Sequence, residues 1–479
     1  MRAKPIVYLV TFVTEANLKP DGRPFFPPIG ALYIATALRK AGCEPRVLHL
    51  LPGHVDQLKK WLDSERPDWI GFSTFTCPTL LPVLEASRHA KKLGIPVVWG
   101  GVHATITPET TLADSVDYIV TGEGEETIME LATALKEGAD PTGIAGVITA
   151  TKDGIVRGPP REPLLDLDRF PPAWDFIDLK QYVTPGPQGI WAPFLLGRGC
   201  PYRCRFCYNE TMTPGRWRRH SDEYVADTLD YFRKKTHFDL VAFNDDYLFG
   251  SGRKSTSWID VLASRGFKWS GCFRSRTLTP EFVRWLEENG CIKVYIGMES
   301  GYQETLDFLG KGLKLEDHYN AIEALAQTNI ILDGIFVINW PKETRKSMLA
   351  TLRLMDDVVK MNPRSQVRHM YYIPMPNTPI YEDALEDGFV EPTSTEEWCT
   401  VFDHPYRYRG FTQREVAAMM FISIRYYYER SFGLLPMHWL FEPFIRWRWR
   451  HGFFKWFALM PMIQWAKSLR GGPKPVSKG

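Results

Sequence analysis

Over the first 145 residues, apolar, β-branched runs alternate with amphipathic stretches, and several of the runs stop at glycine or a small hydroxyl residue. Strands are expected at Pro5–Phe12, Glu44–Leu50, Asp68–Ser73, Pro96–Trp99 and Asp117–Val120. Helical spacing marks Ile29–Ala41, His54–Ser64, Leu80–Leu93 and Glu126–Lys136. Strands that alternate with helices predict a parallel, doubly wound sheet. Ligands of such sheets sit at the carboxyl ends of the strands. Here those ends carry Ser73-Thr74-Phe75-Thr76, Gly100-Gly101-Val102-His103 and Gly122-Glu123-Gly124-Glu125.

A second alternation runs from Trp191 to about Met375. Its expected strands are Phe194–Gly197, Leu240–Phe243, Trp269–Cys272, Lys293–Gly297, Ile331–Val337 and Val367–Ile373, with helices such as Tyr224–Lys234 and Pro280–Asn289 between them. Six βα units fit a partial barrel or an open sheet, and periodicity alone does not separate the two. Between the alternating regions, Val147–Thr151 and Ile155–Arg157 flank Asp153-Gly154 as a hairpin. Seven prolines from Pro159 to Pro187 follow, and they predict a semi-extended linker. From Thr412 the chain reads as helical.

The 479 residues suggest about three domains. Lys+Arg number 58 and Asp+Glu 56, which argues against a bulk electrostatic partner such as nucleic acid. The eight cysteines are too sparse for a disulfide scaffold. The N-terminus reads as a strand rather than a signal peptide, and no run reaches about 18 apolar residues, so a cytoplasmic protein is expected. The last stretch is unusual. Residues 446–470 hold six Lys or Arg, no Asp or Glu, and Trp447, Trp449, Trp456 and Trp465. Such a segment fits either contact with a membrane surface, here the inner face, or a helix whose aromatics enter the core.

Chemistry concentrates in Gly197–Asn209, where Cys200, Cys204 and Cys207 are spaced C-x3-C-x2-C directly after a strand. Three thiolates on one loop can hold three corners of an iron–sulfur cube and leave the fourth iron open. A zinc site would need a fourth ligand such as His220, but structural zinc loops prefer paired C-x2-C knuckles. Cys43, Cys77, Cys272, Cys291 and Cys399 show no ligand spacing and read as small buried hydrophobes.

With this loop the sequence resembles the radical S-adenosylmethionine (SAM) superfamily, in particular the group with an N-terminal cobalamin-binding-type domain. That group contains class B methyltransferases, hopanoid-pathway enzymes and the anaerobic Mg-protoporphyrin ester oxidative cyclase. Phe206 matches the aromatic before the last cysteine. Phe243–Phe249, Tyr295–Gly301 with its Gly-x-Glu-Ser-Gly, Phe336–Thr344 and Pro374–Pro379 resemble successive strand ends of the group. Asn339, Lys342 and Asn377 stand where glycines are usual, and Trp340 is bulky. Gly30, Gly100-Gly101-Val102-His103 and Gly122-Glu123-Gly124-Glu125 resemble the cobalamin domain, but Asp-x-His-x-x-Gly is absent and no histidine is marked as an axial ligand.

The resemblance implies a Rossmann-like N-terminal sheet (1–145), a hairpin and Pro-rich linker (146–190), a partial (β/α)6 TIM-type barrel (191–400) and a helical C-terminal region (401–479). It implies a 4Fe–4S cluster on Cys200, Cys204 and Cys207 that cleaves SAM to a 5′-deoxyadenosyl radical. Phe206, Tyr208, Asp245, Arg274, Glu299 and Ser300 are its candidate SAM residues. Gly30, Ser73, Thr74, Gly100, Gly101, Gly122 and Glu123 are the candidate cobalamin residues. The expected reaction is cobalamin-dependent methylation of an unactivated carbon of a small or hydrophobic molecule, with a flavodoxin- or ferredoxin-type electron donor. The alternatives are cyclisation, dehydration or rearrangement with a vestigial cobalamin domain, or a cobalamin- or metal-sensing protein.

Overall fold

The computed structural model describes residues 4–112, 115–213, 215–249, 256–402, 406–429 and 438–454. The first sheet contains β1 (Ile6–Phe12), β2 (Glu44–Leu50), β3 (Trp69–Ser73), β4 (Val97–Gly100) and β5 (Tyr118–Val120), followed by the hairpin β6 (Val147–Thr151) and β7 (Gly154–Arg157). Strand order is β2-β1-β3-β4-β5-β6-β7. β1 to β5 are parallel, and the hairpin adds antiparallel to β5. The chain steps from β1 outward to β2 and then crosses to β3. This is a topological switch point, where neighbouring connections diverge and leave a crevice. Helices Ile29–Lys40 and Glu125–Glu137 cover one face, and Val55–Glu65 and Leu80–Lys92 the other. Strands buried on both faces read as nearly continuous apolar runs, as IVYLVTF does in β1.

The Pro-rich segment is not the semi-extended linker expected from its composition. Leu164, Leu167, Phe170 and Ala173 are buried in the core of the first sheet, and Trp174 and Leu179 enter the core of the second. The prolines stiffen a strap whose intervening apolar side chains pay back their ordering by burial. The strap ends in β8 (Thr184–Gly186), an edge strand antiparallel to β9 (Gly189–Phe194).

The second sheet runs in the order β16 (Gln366–Tyr371), β15 (Ile331–Ile338), β14 (Cys291–Glu299), β13 (Lys268–Phe273), β12 (Leu240–Phe243), β9 and β8. A two-stranded ribbon, β10 (Gly197–Arg198) and β11 (Arg218–Arg219), stands apart and brackets the cysteine loop. β12 to β16 join β9 in six parallel strands. Their outer-facing residues, among them Val294, Ile296, Met298, Leu332, Phe336 and Ile338, pack on the surrounding helices. The result is the curled, partial barrel that periodicity alone left open.

The start of the basic, Trp-rich end packs on the barrel. In helix His438–His451, Trp449 is buried and donates its indole N–H to the carbonyl of Leu352 at 2.6 Å. Arg446 and Arg450 both bind Asp356. Trp449, Phe454, Arg446 and Arg450 are therefore committed to the fold, whereas Phe444, Trp447 and Phe453 are well exposed. Residues 455–470 lie outside the described residues. Among the described residues, no helix is long and apolar enough to cross a membrane.

Candidate functional site

Cys200, Cys204 and Cys207 lie on the loop between β10 and the short helix Asn209–Met212, as free, half-buried thiols. Gly199 turns the chain into the loop at φ 82°, where a Cβ would lie 2.0 Å from the carbonyl of Arg216. The loop is gripped from two sides, by Arg205 N–H donating to Leu309 O at 3.0 Å and Ile380 N–H donating to Arg205 O at 3.3 Å. Burial raises the Cys200 thiol and pushes Cys207 up to about 12, and neighbouring cysteines add to both shifts. Thiols held neutral this way ionise when they meet the positive charge of irons. Among the described residues no three His, Cys, Asp or Glu side chains converge on a single ion. A cubane does not need such convergence, because each thiolate binds a different iron. The three soft donors fit a 4Fe–4S cluster. His220 does not serve the loop: its two ring nitrogens face Tyr33 at 2.7 Å and Asp168 at 2.6 Å.

The candidate SAM residues divide. Arg274 lies over the ring of Tyr202 at 3.7 Å, donates to Cys204 Sγ at 3.6 Å and to the carbonyl of Lys311, and so reaches the cluster loop. Glu299 ends β14 beyond a bulge, at φ 60°, paired with Lys311 Nζ at 2.6 Å. Tyr208 opens the helix after the cysteines and faces the cavity described below. Phe206 instead packs against Trp340, ring centroids 5.0 Å apart, beneath the loop. Asp245 is buried and accepts the N–H groups of Leu196 (3.0 Å) and Gly197 (2.5 Å). It fixes the strand that enters the loop, and burial raises its carboxyl to about 8. Ser300 is fully buried with its hydroxyl 3.1 Å from Thr351 Oγ1, on the helix side of the sheet.

Asn339, Lys342 and Asn377 keep the left-handed backbone that glycine would supply, with φ of 69°, 62° and 62°. Non-glycine residues pay about 1 kcal/mol or more for this conformation. The turns survive because neighbours over-determine them: the carboxylate of Glu343 accepts the N–H groups of both Asn339 and Trp340.

The carboxyl ends of β1, β3, β4 and β5 open into a cavity of about 400 Å³. Gly30, Ser73, Gly100, Gly101, Gly122 and Glu123 line one wall. Tyr208, Asn209, Met212 and Thr213, directly after the cysteines, line the other together with Asp246. The glycines form a cradle. A Cβ on Gly30 would come 3.6 Å from Ser73 Oγ, and at Gly101, with φ 94°, it would come 2.6 Å from the carbonyl of Thr74. Thr74 itself is not a wall residue: its hydroxyl donates to Gly100 O at 2.9 Å. The small, glycine-rich wall at the switch point fits a bulky nucleotide-tailed cofactor such as cobalamin. No histidine is among the lining residues. His103 is buried against Trp99 and Trp398, hydrogen-bonded to Thr76, and His54 is exposed at a helix start.

Several cavity residues escaped the sequence reading. Arg198 stacks over Tyr33 at 3.9 Å and binds Glu125 at 2.5 Å, while Arg218 holds Glu123 at 2.7 Å. Tyr33 lies inside an amphipathic helix and shows no signal in isolation. Arg198 sits between the two glycines of Gly197-Arg198-Gly199, where a charged residue beside a turn was the available clue.

Comparison with known proteins matches a family model to each of the two alternating regions. The B12 binding domain model matches residues 23–132, and the Radical SAM superfamily model matches residues 194–355. An uncharacterized methyltransferase of Pyrococcus horikoshii is 27% identical over 428 residues, covering 86% of this chain and 90% of its own length. The anaerobic magnesium-protoporphyrin IX monomethyl ester cyclase of Rubrivivax gelatinosus is 26% identical, covering 75% of this chain and 66% of that protein. The radical S-adenosylmethionine methyltransferase TsrM from Kitasatospora setae, solved with cobalamin and a [4Fe-4S] cluster bound, shares the fold. Its TM-score is 0.64 at 19% identity, covering 83% of this chain and 82% of TsrM. The cofactors are accordingly a 4Fe–4S cluster, SAM and cobalamin. A thiol loop at the mouth of a partial barrel, facing a glycine cradle across one cavity, thus has its explanation in ancestry: the chain is a radical SAM superfamily enzyme with an N-terminal B12-binding domain.

Proposed function

We propose that the protein transfers a methyl group to an unactivated carbon of a small molecule. The single observation that carries this reading is the shared cavity. One continuous space is walled by the glycine cradle of the first sheet and by Tyr208, Asn209 and Met212 behind the cluster loop. A vestigial first domain would have no need to keep this space open toward the cluster. When bound, the cluster supplies the electron that cleaves SAM, and cobalamin supplies the methyl group.

In this reading Cys200, Cys204 and Cys207 hold the cluster, and Arg274, Glu299 and Tyr208 face SAM. Gly30, Ser73, Gly100, Gly101 and Gly122 admit the cobalamin. Phe206, Asp245, Ser300, Thr74 and Glu123 hold the frame through the partners described above. The electron comes from a flavodoxin- or ferredoxin-type donor. The exposed Phe444, Trp447 and Phe453, whose rings lie within 6.3 Å of one another in succession, support a peripheral membrane contact.

The test is anaerobic reconstitution with iron, sulfide and hydroxocobalamin, followed by product analysis. About four irons and one cobalt per chain, with SAM yielding both S-adenosylhomocysteine and 5′-deoxyadenosine, is the expected result. Four irons with 5′-deoxyadenosine alone would overturn methyl transfer in favour of cyclisation, dehydration or rearrangement.

A further inference from the structure

The inner face of the barrel keeps partly exposed residues above a charged floor. Along β14 and β15 the outward residues Val294, Ile296, Met298, Leu332, Phe336 and Ile338 are fully buried. The inward residues Tyr295, Gly297, Ile335 and Val337 keep partial exposure. A filled barrel would bury both sets. Strand register places Cys272, Tyr295, Asp333 and Gln366 side by side in one layer. Gly297, Ile335 and Arg368 form the layer above. Glu299 ends β14 two residues beyond Gly297, or about 7 Å at the usual strand rise.

Asp333 is fully buried between two cations. Lys293 Nζ lies 2.8 Å from it, and Arg368 Nη1 lies 3.0 and 3.2 Å from its two oxygens. Lys293 also donates to Gln366 at 2.9 Å, and Arg368 lies over the ring of Tyr428 at 4.5 Å. Two cations thus share one carboxylate. Among the described residues Arg368 has no other carboxylate partner within ion-pair distance, and its side chain keeps 27% exposure. The nearest opposing pair, Lys311 with Glu299, is balanced within itself. A partly exposed guanidinium that shares its one carboxylate with a lysine can bind a planar anion through a bidentate fork. The surrounding Tyr295, Ile335, Val337 and the exposed Met370 suit an apolar or aromatic frame.

We propose that the barrel lumen binds a substrate carrying one carboxylate on an apolar frame, with Arg368 as its anchor and the Asp333–Lys293 pair holding Arg368 in place. This inference rests on the reading of the protein as a methyltransferase that acts on a small molecule.

The experiment is isothermal titration of the reconstituted holoenzyme with 3-phenylpropionate and its neutral amide. The acid is expected to bind about tenfold more tightly than the amide, a discrimination of the size that charged hydrogen bonds give. Arg368→Gln should erase that preference, Arg368→Lys should keep most of it, and Arg276→Gln, a surface control paired with Asp317, should leave it intact. Equal binding of acid and amide, no binding of the acid, or a preference that survives Arg368→Gln would each overturn the assignment. Iron and cobalt contents and S-adenosylhomocysteine formation, measured on the same samples, report separately on the methyl-transfer reading.

Discussion

Glu123 and Arg218 form a two-point ion pair that ties the end of β5 to the ribbon bracketing the cluster loop. Arg218 Nη2 lies 2.7 Å from one carboxylate oxygen and Nη1 3.0 Å from the other, and both side chains are less than one-tenth exposed. The same carboxylate accepts the N–H of Leu164 at 2.9 Å, so sheet, strap and ribbon meet at one residue. A buried pair adds little net stability, but removing one partner leaves the other charged and unpaired. Glu123→Ala should therefore cost about 3 kcal/mol, read as a drop of several degrees in Tm, and should loosen both walls of the cavity so that cobalt is retained poorly. An unchanged Tm would show that the two units are held together elsewhere.

Arg274 predicts a redox effect. Its guanidinium donates to Cys204 Sγ and to the neutral carbonyl of Lys311. A positive charge and an N–H···S bond favour the reduced cluster. Arg274→Gln should keep four irons per chain while shifting the cluster potential more negative by roughly 60 mV, a tenfold change for one electron. Spectroelectrochemistry on the reconstituted protein measures it. A potential unmoved by the substitution would place Arg274 with SAM or with structure instead.

The sequence was readable wherever a local pattern decides the structure. Glu44–Leu50 and Leu240–Phe243 are strands over the residues expected, the second because an apolar run cut off by turn residues has one way to be buried in a parallel sheet. The cysteine loop was readable for the same reason, being contiguous. The strap was misread because proline composition outweighed the spaced Leu164, Leu167, Phe170 and Trp174, whose burial depends on two sheets that are distant in sequence. Arg368, Asp333 and Lys293 were invisible as a group. Each is an inward position on a different strand, and only closure of the barrel puts them in contact. Lys342 shows the reverse case. Its left-handed φ of 62° persists without glycine, so Lys342→Gly should leave the fold intact and gain up to about 1 kcal/mol, less what its surface pairing with Asp383 contributes.

His369 sets a pH dependence. It is buried on β16 against Trp449, both ring nitrogens lack partners among the described residues, and burial lowers its pKa to about 3. The folded state therefore holds it neutral, whereas the unfolded chain takes up a proton below about 6.5. Stability is fully present above that value and is lost as pH falls through it toward 3. Between pH 7.5 and 5.5 this one group removes about 1.4 kcal/mol. His369→Leu should shrink the stability difference between these two pH values by that amount in urea titrations of the apoprotein. An identical pH dependence in the variant would mean the imidazole is already protonated or paired in the fold.

Gly30 and Gly101 separate the binding role of the cradle from its structural role. At Gly101 a Cβ would lie 2.6 Å from the Thr74 carbonyl and the backbone is left-handed, so Gly101→Ala strains the fold itself and should lower Tm. At Gly30 the nearest atom to an added Cβ is Ser73 Oγ at 3.6 Å, ordinary contact, and the residue lies in a helix where a larger side chain is favourable. Gly30→Leu should therefore fold with unchanged or higher Tm, while its side chain projects into the cavity that the cofactor needs. Cobalt per chain should fall at least tenfold in titrations with hydroxocobalamin, iron should stay at about four, and SAM should still be cleaved to 5′-deoxyadenosine on reduction. Cobalt retained at the wild-type level by Gly30→Leu would place the corrin outside this cavity and remove the observation on which methyl transfer rests.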